Sequence, residues 1–373
     1  MNLDQRHLPS KRLLSIDTLR GFDMLMISGA GSFIYLLHGK TEWAWVDALA
    51  LQFEHPAWNG FAFYDFIFPL FLFIAGMSLP FSVNKGLELG MTKSQLYWKA
   101  FRRMLILIAL GILDKNAPVP FLDWSEIRFV GVLQRIGFAG FVVTILYLNF
   151  NTKARMFWVA GLLLSYYAAL FLVPVPGYGA GDLSIEGNLT GWVDRHFLPG
   201  RLLQGSYDEL GILTQFPAVC LTILGTFAAD ILRNNVLPDY TKLRNLVISG
   251  FICLIIGLLW GLHFPINKHL WSSSFIMLTG GLSFLSFALF YWIIDILKYR
   301  RWTFFFIVIG MNSLTIYMAY RLIDFGHTSK LLFEGLYRDT PDQWHSVFES
   351  IGALAIVWMF LYFLYRRQIF VKI

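Results

Sequence analysis

Runs of about 20 apolar residues recur along the whole chain, and each can cross the roughly 30 Å hydrocarbon core of a bilayer. Hydrophobic residues make up 57% of the 373 residues and charged residues only 14%. A soluble globular protein carries roughly 25% charged residues, so most of this surface cannot face water. The sequence therefore predicts an all-α polytopic integral membrane protein. It excludes fibrous, disordered and soluble nucleic-acid-binding chains, and no nucleic acid partner is expected.

The apolar runs predict about ten transmembrane helices within a single domain, 1–373. Their approximate bounds are 15–37, 61–83, 97–114, 129–149, 155–173, 209–231, 244–262, 270–296, 302–322 and 344–365. The first run is long and follows Lys11 and Arg12, so a cleavable signal peptide is not expected. The connections 38–60 and 174–208 are long, which favours a functional site over flexible linkers without excluding the latter.

The distribution of Lys and Arg predicts which side of the membrane each connection occupies. If the N-terminus is cytoplasmic, 19 of the 30 basic residues fall on the cytoplasmic side. The opposite side then collects many of the acidic residues, among them Asp114, Asp123, Glu126 and Asp194. With an even number of spans, both termini are predicted to be cytoplasmic.

The motifs of several well-known chemistries do not occur in this chain. There is no Walker A sequence, no His-Glu-x-x-His and no Gly-x-Ser-x-Gly, so nucleotide hydrolysis, zinc proteolysis and a serine-esterase elbow are unsupported. Cys220 and Cys253 both lie in apolar runs, as small buried hydrophobes do. Neither a disulfide nor a metal site is expected.

Ionisable residues inside membrane spans are the first candidates for function, because each costs at least about 2.5–3.5 kcal/mol to insert. Asp17 and Arg20 share one face of the first helix, where they form a structural ion pair or hold an anion. Arg135 lies about eight residues into its span, or roughly 12 Å deep. At that depth it needs an internal anion or another partner.

His55 and Asp65 flank the outer start of the second predicted span. A histidine near a carboxylate can act as a base or a nucleophile, with the acid fixing its tautomer. An interfacial histidine beside an N-capping acid would give the same pattern, and spacing alone does not show that the side chains meet.

Three further polar sets have both a structural and a functional interpretation. Lys99, Arg102 and Arg103 either snorkel to lipid headgroups or bind the phosphates of a cytosolic ligand. Asn312 either pairs with a neighbouring helix or donates to a substrate. The sequence from Pro265 to Ser272 opens the eighth span, and its Trp271 also fits an aromatic belt.

An ordered series of segments along nearly the whole chain resembles the heparan-alpha-glucosaminide N-acetyltransferase family and its bacterial, amino-sugar-associated relatives. The segments are Ser-Ile-Asp-Thr-Leu-Arg-Gly at 15–21, His-Pro-Ala-Trp-Asn-Gly with Asp-Phe-Ile-Phe-Pro between 55 and 69, Gly-Val-Leu-Gln-Arg-Ile-Gly at 131–137, Tyr-Asp-Glu-Leu-Gly-Ile-Leu at 207–213, Pro-Ile-Asn-Lys-His-Leu-Trp-Ser at 265–272, Gly-Met-Asn-Ser at 310–313 and the tail Tyr-Arg-Arg-Gln-Ile-Phe-Val-Lys-Ile. The series as a whole is specific, although no single segment is.

The resemblance implies transfer of acetyl from cytosolic acetyl-CoA, across the membrane, to the amine of a glucosamine-containing sugar on the outer, periplasmic side. His55 matches the family's catalytic histidine, with Asp65 orienting it and Asn312 assisting. The residues expected to bind acetyl-CoA are Arg20, Arg103, Arg135, Arg366 and Arg367. Those expected to bind the sugar, in a site formed by 38–60 and 174–208, are Trp58, Asn59, Asp208, Asn267, Lys268 and Trp271.

One position departs from the family pattern. The animal enzyme has an asparagine in its first span that is thought to assist catalysis, and Gly31 stands at the matching position here. The role of that asparagine must then pass to another group, such as Asn312 or Asn59, or to water.

Two mechanisms are open for His55. Either His55 carries the acetyl group or it serves as a general base during direct transfer, and direct transfer is preferred.

Two other functions stay open from sequence. An amino-sugar transporter would carry a proton on Asp23 or Asp65. An O-acyltransferase of envelope glycans would use the same donor, acetyl-CoA, and a similar histidine.

The lipid bilayer, acetyl-CoA and a glucosamine-containing glycan are the expected partners, and a homodimer is the commonest closed assembly. The resemblance places the chain in a bacterial inner membrane.

Overall fold

A computed structural model describes residues 13–120 and 123–371. Within these ranges the regular elements are helices, accompanied by two isolated bridges, Arg128 to Gly200 and Val175 to Gly179. The fold class is therefore all-α, as predicted. Four of the basic residues used to orient the chain, Arg6, Lys11, Arg12 and Lys372, lie outside the described residues.

Fifteen α-helices follow one another through the described residues. They are α1 (Leu14–Leu25), α2 (Gly31–Tyr35), α3 (Ala44–Leu51), α4 (Phe63–Glu88), α5 (Lys93–Asn116), α6 (Val132–Asn149), α7 (Thr152–Leu172), α8 (Leu189–Phe197), α9 (Gln215–Arg233), α10 (Asp239–Gly261), α11 (Ser273–Tyr291), α12 (Thr303–Met311), α13 (Ser313–Leu322), α14 (Phe325–Tyr337) and α15 (His345–Arg366). A π-helical turn, Met26–Ala30, joins α1 to α2, and another, Trp292–Ile296, extends α11.

Seven of the described helices are long and apolar enough to cross a membrane, and α12 with α13 makes an eighth if that bent pair is one span. The chain is thus a multi-pass membrane protein. The two other predicted spans are helical but differ in character. The 15–37 span is broken at Gly29, where φ is 120°, and the 97–114 span carries Lys99, Arg102 and Arg103. The count of ten and the orientation stay predictions.

Helices α4 and α9 cross at the centre of the bundle. A Cβ added to Gly76 would come within 2.0 Å of the Thr222 carbonyl oxygen, and one added to Gly225 within 2.1 Å of the Phe73 carbonyl oxygen. Small residues allow such close backbone approach in membranes, where dispersion contacts rather than water exclusion hold helices together. The crossing fixes α4, which runs from one end of the bundle to the other.

The helices α12 and α13 meet at a bend of 68°. Asn312 lies at the bend with φ of −123° and ψ of 36°, outside the helical region. The side-chain nitrogen Nδ2 of Asn312 donates to the Ile369 carbonyl oxygen at 3.2 Å. The bend therefore ties the chain beyond α15 to the helix core.

Candidate active site

His55 and Asp65 meet at the start of α4. His55 Nδ1 lies 2.6 Å from Asp65 Oδ1. The other carboxylate oxygen, Oδ2, accepts a hydrogen bond from the Ala62 backbone nitrogen at 2.9 Å. Asp65 is 1% exposed, so the histidine and the first turn of the helix hold its carboxylate on both sides. The predicted pair is thus in direct contact.

Lys268 reaches the same histidine from the segment before α11. Its Nζ lies 2.9 Å from His55 Nε2 and 3.7 Å from Asp65 Oδ1. An ammonium group can only donate, so Nε2 is the acceptor and Nδ1 carries the proton donated to Asp65. This arrangement leaves the basic lone pair of His55 facing an amine.

Two further residues of this site were not predicted from the sequence. The ring of Tyr64 stacks on the imidazole, with centroids 5.1 Å apart and planes at 17°. Glu209 Oε2 lies 3.9 Å from Lys268 Nζ and 4.0 Å from His269 Nδ1. Tyr64 could have been suspected from its place beside Asp65, whereas the position of Glu209 depends on a distant part of the chain.

A second imidazole, that of His269, belongs to the same site. The Trp58 indole stacks on it with centroids 5.3 Å apart, and the Trp58 Nε1 donates to the Leu183 carbonyl oxygen at 2.9 Å. Burial lowers the pKa of His269, whereas its hydrogen bond with the Pro56 carbonyl oxygen and the charge of Glu209 act in the opposite direction. Burial, followed by the charge of Glu209, raises the pKa of neighbouring Tyr207 to about 12, so its phenol stays protonated. The contact of Trp58 with Leu183 joins segments 38–60 and 174–208 over the site.

Asp208 holds the long segment in place. Both of its carboxylate oxygens bind Arg128, at 2.8 Å from Nε and 2.8 Å from Nη2. They also accept from the backbone nitrogens of Leu203 and Leu210, at 3.0 and 2.9 Å. Asp208 is 1% exposed and its oxygens are occupied. Its geometry fits a positioning role better than the predicted contact with sugar.

The other predicted sugar-binding residues differ in accessibility. Asn59 is exposed and Trp58 half-buried, so both can meet a ligand. Asn267 is fully buried, donating to Asn59 Oδ1 at 3.0 Å and accepting from the Leu270 backbone nitrogen at 2.8 Å. The structure therefore brings these residues together while leaving Asn267 as the support for Asn59.

Arg135 lies under the indole of Trp271, with the guanidinium carbon 4.2 Å from the ring centroid. Its Nη2 donates to the Glu209 carbonyl oxygen at 3.1 Å and also binds the hydroxyl of Thr214. Arg135 Nη1 and Trp271 Nε1 are buried without a hydrogen-bond partner among the described residues. Trp271 also has φ of 48°, a strained backbone position of the kind that clusters at functional sites.

A cavity of about 860 Å³ opens on the opposite half of the bundle and follows α4. Along that helix its lining extends from Phe68 to Val83, which is roughly 22 Å at 1.5 Å per residue. The cationic residues in its wall are Arg20, Lys99, Arg102 and Arg103. At its other end Phe68 contacts Trp271, with ring centroids 5.4 Å apart. The cavity thus leads from four cations towards the site around His55.

Three predicted residues lie apart from these groups. Arg366 and Arg367 are exposed at the end of α15, where they contact Tyr362 and Phe363, and they are not in the cavity wall. Asn312 contacts Ile369 and Thr315 and has no hydrogen bond to His55, Asp65 or Lys268. Their functional roles stay predictions.

The site thus combines a cavity with a cationic wall and a His–Asp pair that faces the amine of Lys268. The family model "Heparan-alpha-glucosaminide N-acetyltransferase, catalytic" matches residues 12–259, and the chain belongs to that family. The match includes His55, Asp65 and Arg135, whereas Lys268 and Trp271 lie beyond its end.

Two curated proteins are similar over almost the whole chain, and both are named heparan-alpha-glucosaminide N-acetyltransferase. The human protein is 28% identical over 421 residues, which is 97% of this chain and 60% of the relative. The mouse protein is 27% identical over 428 residues, which is 99% of this chain and 62% of the relative. The chain therefore spans less than two thirds of the length of these relatives.

Proposed function

We propose that the chain is a transmembrane N-acetyltransferase that moves acetyl from acetyl-CoA to the amine of a glucosamine-containing sugar. The observation that carries the proposal is the hydrogen-bonded set of Asp65, His55 and an amine, with His55 Nε2 only 2.9 Å from Lys268 Nζ. That distance is within reach for general-base catalysis. Family membership and the cavity beside α4 agree with this chemistry.

The donor binds in the cavity of about 860 Å³. Arg20, Arg102 and Arg103 supply positive charge for the phosphates of CoA, because guanidinium groups form strong charge-assisted hydrogen bonds with phosphate. Arg20 is already oriented by Asp17, 3.2 Å away, and by Ser78 Oγ, 2.6 Å away. The apolar part of the cavity suits the arm of acetyl-CoA that joins the phosphates to the thioester, with the thioester near Phe68.

The thioester oxygen gains negative charge when an amine attacks its carbonyl carbon. Buried donors aimed at that oxygen are the most effective way to stabilise it. Arg135 Nη1 and Trp271 Nε1 are buried donors that have no acceptor among the described residues. Trp271 contacts Phe68, and Arg135 contacts Glu209. We assign them to the thioester carbonyl.

His55 removes the proton from the sugar ammonium, and Asp65 stabilises the resulting imidazolium. The free amine then attacks the thioester directly, and the sulfur leaves as thiolate and takes a proton. Direct transfer is favoured over an acetyl-histidine intermediate because Nε2 faces an amine in the structure. Trp58 and Asn59 hold the sugar, since an indole face can pack on a sugar ring and an amide can bind its hydroxyls. The donor side is cytosolic and the acceptor side periplasmic in a bacterial inner membrane.

The test uses purified protein in liposomes with acetyl-CoA and glucosamine. Release of CoA thiol should depend on glucosamine, and mass spectrometry should identify N-acetylglucosamine. His55→Ala should reduce turnover on the order of 100-fold or more, as expected for loss of a general base, while acetyl-CoA still binds. His327→Ala is the matched control, since His327 is exposed on α14.

The same preparation separates the remaining alternatives. Ordinary turnover in His55→Ala would refute the catalytic assignment, and glucosamine accumulation in sealed vesicles without CoA would favour a transporter. Initial rates at varied donor and acceptor concentrations give intersecting lines for direct transfer and parallel lines for an acetyl-enzyme. An alkali-labile product would identify an O-acyltransferase instead.

A further inference from the structure

Lys268 occupies the position that the proposed reaction requires of its acceptor amine. Its Nζ lies 2.9 Å from His55 Nε2, 3.7 Å from Asp65 Oδ1 and 3.9 Å from Glu209 Oε2. The lysine side chain is 13% exposed, so the site rather than bulk solvent surrounds its amine. No sugar ammonium could contact the same nitrogen of His55 without displacing it.

Lysine and glucosamine present the same reacting group, a primary amine on a tetrahedral carbon. Both are ammonium ions at neutral pH and need a base before they can attack a carbonyl carbon. His55 Nε2 is already in hydrogen-bond contact with this amine, and Asp65 is placed to stabilise the imidazolium. The arrangement that activates a sugar amine therefore activates Lys268 when the sugar is absent.

We infer that Lys268 is a self-acetylation site: with donor bound and no acceptor present, its Nζ takes the acetyl group and becomes Nε-acetyl-lysine. The inference rests on the proposed function, because acetyl must be delivered beside His55. It also goes beyond it, since it places a covalent modification on the chain itself.

The step balances without a further reactant. The Lys268 ammonium gives one proton to His55 Nε2, and the resulting amine forms a C–N bond to the thioester carbonyl carbon. The C–S bond breaks, CoA leaves as thiolate, and the second proton lost from nitrogen neutralises it. The products are an amide on Lys268, free CoA thiol and a proton on His55 that passes to solvent.

The amide product would close the site. Acetylation removes the positive charge that faces Asp65 and Glu209, and it leaves an acetyl group in the place of the acceptor amine. Amides do not revert under these conditions, so each event removes one molecule from turnover. Acceptor sugar protects the protein by displacing the lysine.

The experiment measures acetyl occupancy at each lysine after incubation in liposomes with acetyl-CoA, with and without glucosamine. Peptide mass spectrometry should find the mass of one acetyl group on Lys268 only when glucosamine is absent. Lys330, exposed on α14, reports background acetylation. In His55→Ala, acetylation of Lys268 should slow on the order of 100-fold or more while that of Lys330 is unchanged.

Lys268→Arg provides the second variant, because arginine keeps the positive charge near Glu209 but is not acetylated. Its peptide should carry no acetyl group, and its melting temperature should show that it folds. Thiol release without acceptor should then fall to the level of His55→Ala.

The outcomes separate this inference from the proposed function. Normal acetylation of glucosamine with an unmodified Lys268, or equal modification of Lys268 in His55→Ala, overturns the inference alone. His55-dependent modification of Lys268 without acetylation of glucosamine supports the inference and refutes glucosamine as the acceptor of the proposed reaction. Absence of both reactions refutes both.

Discussion

The ring of Tyr64 lies so close to Gly31 that a Cβ on the glycine would come within 2.6 Å of the tyrosine Cε2. The same ring stacks on His55. In this chain an aromatic ring therefore takes the space that a longer side chain at position 31 would need. The glycine and the histidine are thereby linked through one tyrosine.

Gly31→Ala should push Tyr64 against His55 and lower turnover by up to about 100-fold, the cost of misplacing a reacting group by about 1 Å. Binding of acetyl-CoA should be unaffected. Gly161→Ala on α7 is the control, because nothing lies within 4 Å of a Cβ there. Full activity of the Gly31 variant would show that Tyr64 does not position His55.

Asp65→Asn should keep the start of α4 intact, since the asparagine side-chain oxygen can still accept from the Ala62 backbone nitrogen. It should nevertheless reduce turnover by about 100-fold or more, because the amide cannot stabilise an imidazolium on His55. The measurement pairs thiol release with thermal unfolding. Asp339→Asn, an exposed carboxylate, should change neither, and a loss of stability in Asp65→Asn would point to a structural role instead.

Removing one partner of the buried Arg128–Asp208 pair should destabilise the protein by about 3–5 kcal/mol, because an unpaired charge stays buried. The double variant Arg128→Ala with Asp208→Ala should lose less than the sum of the single variants. Thermal melts in detergent, followed by susceptibility of 174–208 to protease, would measure this. The exposed pair Arg338 and Asp339, 3.9 Å apart, should show no measurable coupling.

Arg103→Gln should raise the KM for acetyl-CoA roughly tenfold to a hundredfold, since a charge-assisted hydrogen bond contributes about 1.5–3 kcal/mol. The rate at saturating donor should change little, because the phosphates that Arg103 is proposed to bind take no part in acetyl transfer. Arg366→Gln is the informative comparison, as Arg366 is exposed and outside the cavity wall. Equal effects of the two variants would support the prediction that Arg366 also binds acetyl-CoA.

His269 should make the stability of the outer site depend on pH. Burial lowers its pKa in the folded state, so as pH falls through the ordinary histidine value of about 6.5 the unfolded chain binds the proton first. Stability from this group is therefore complete at neutral pH and declines as pH falls. The melting temperature should drop less steeply with acid in His269→Asn than in the parent protein. His196→Asn, an exposed ring on α8, should not change the slope.

The apolar runs and the helix class could be predicted from sequence because they depend on local patterns, whereas the pairing of His55 with Asp65 was expected from the family resemblance. Asp65 lies ten residues after His55, and one helix start is enough to bring them together. The Arg128–Asp208 contact spans 80 residues and requires the whole connection to fold back. Such contacts follow from tertiary packing, which no spacing rule encodes.

The same reason explains where predicted residues separate. Arg366 and Arg367 carry the same charge as Arg103 and are predicted on the same side of the membrane, but neither is in the cavity wall. Asn312 is buried as expected of a polar residue in a span, yet the bend between α12 and α13 turns it towards Ile369. Residue type and position in the sequence therefore did not determine the direction in which each side chain points.

Helix α4 carries near its start the carboxylate that holds His55, and it continues for roughly 22 Å as the wall of the proposed donor cavity. The proposed sugar site, in contrast, is formed mainly by connections between helices. A lineage can therefore exchange one acceptor for another by altering those connections while its donor machinery stays constant. Substitutions in α4 have less freedom, because this helix contributes to both proposed sites.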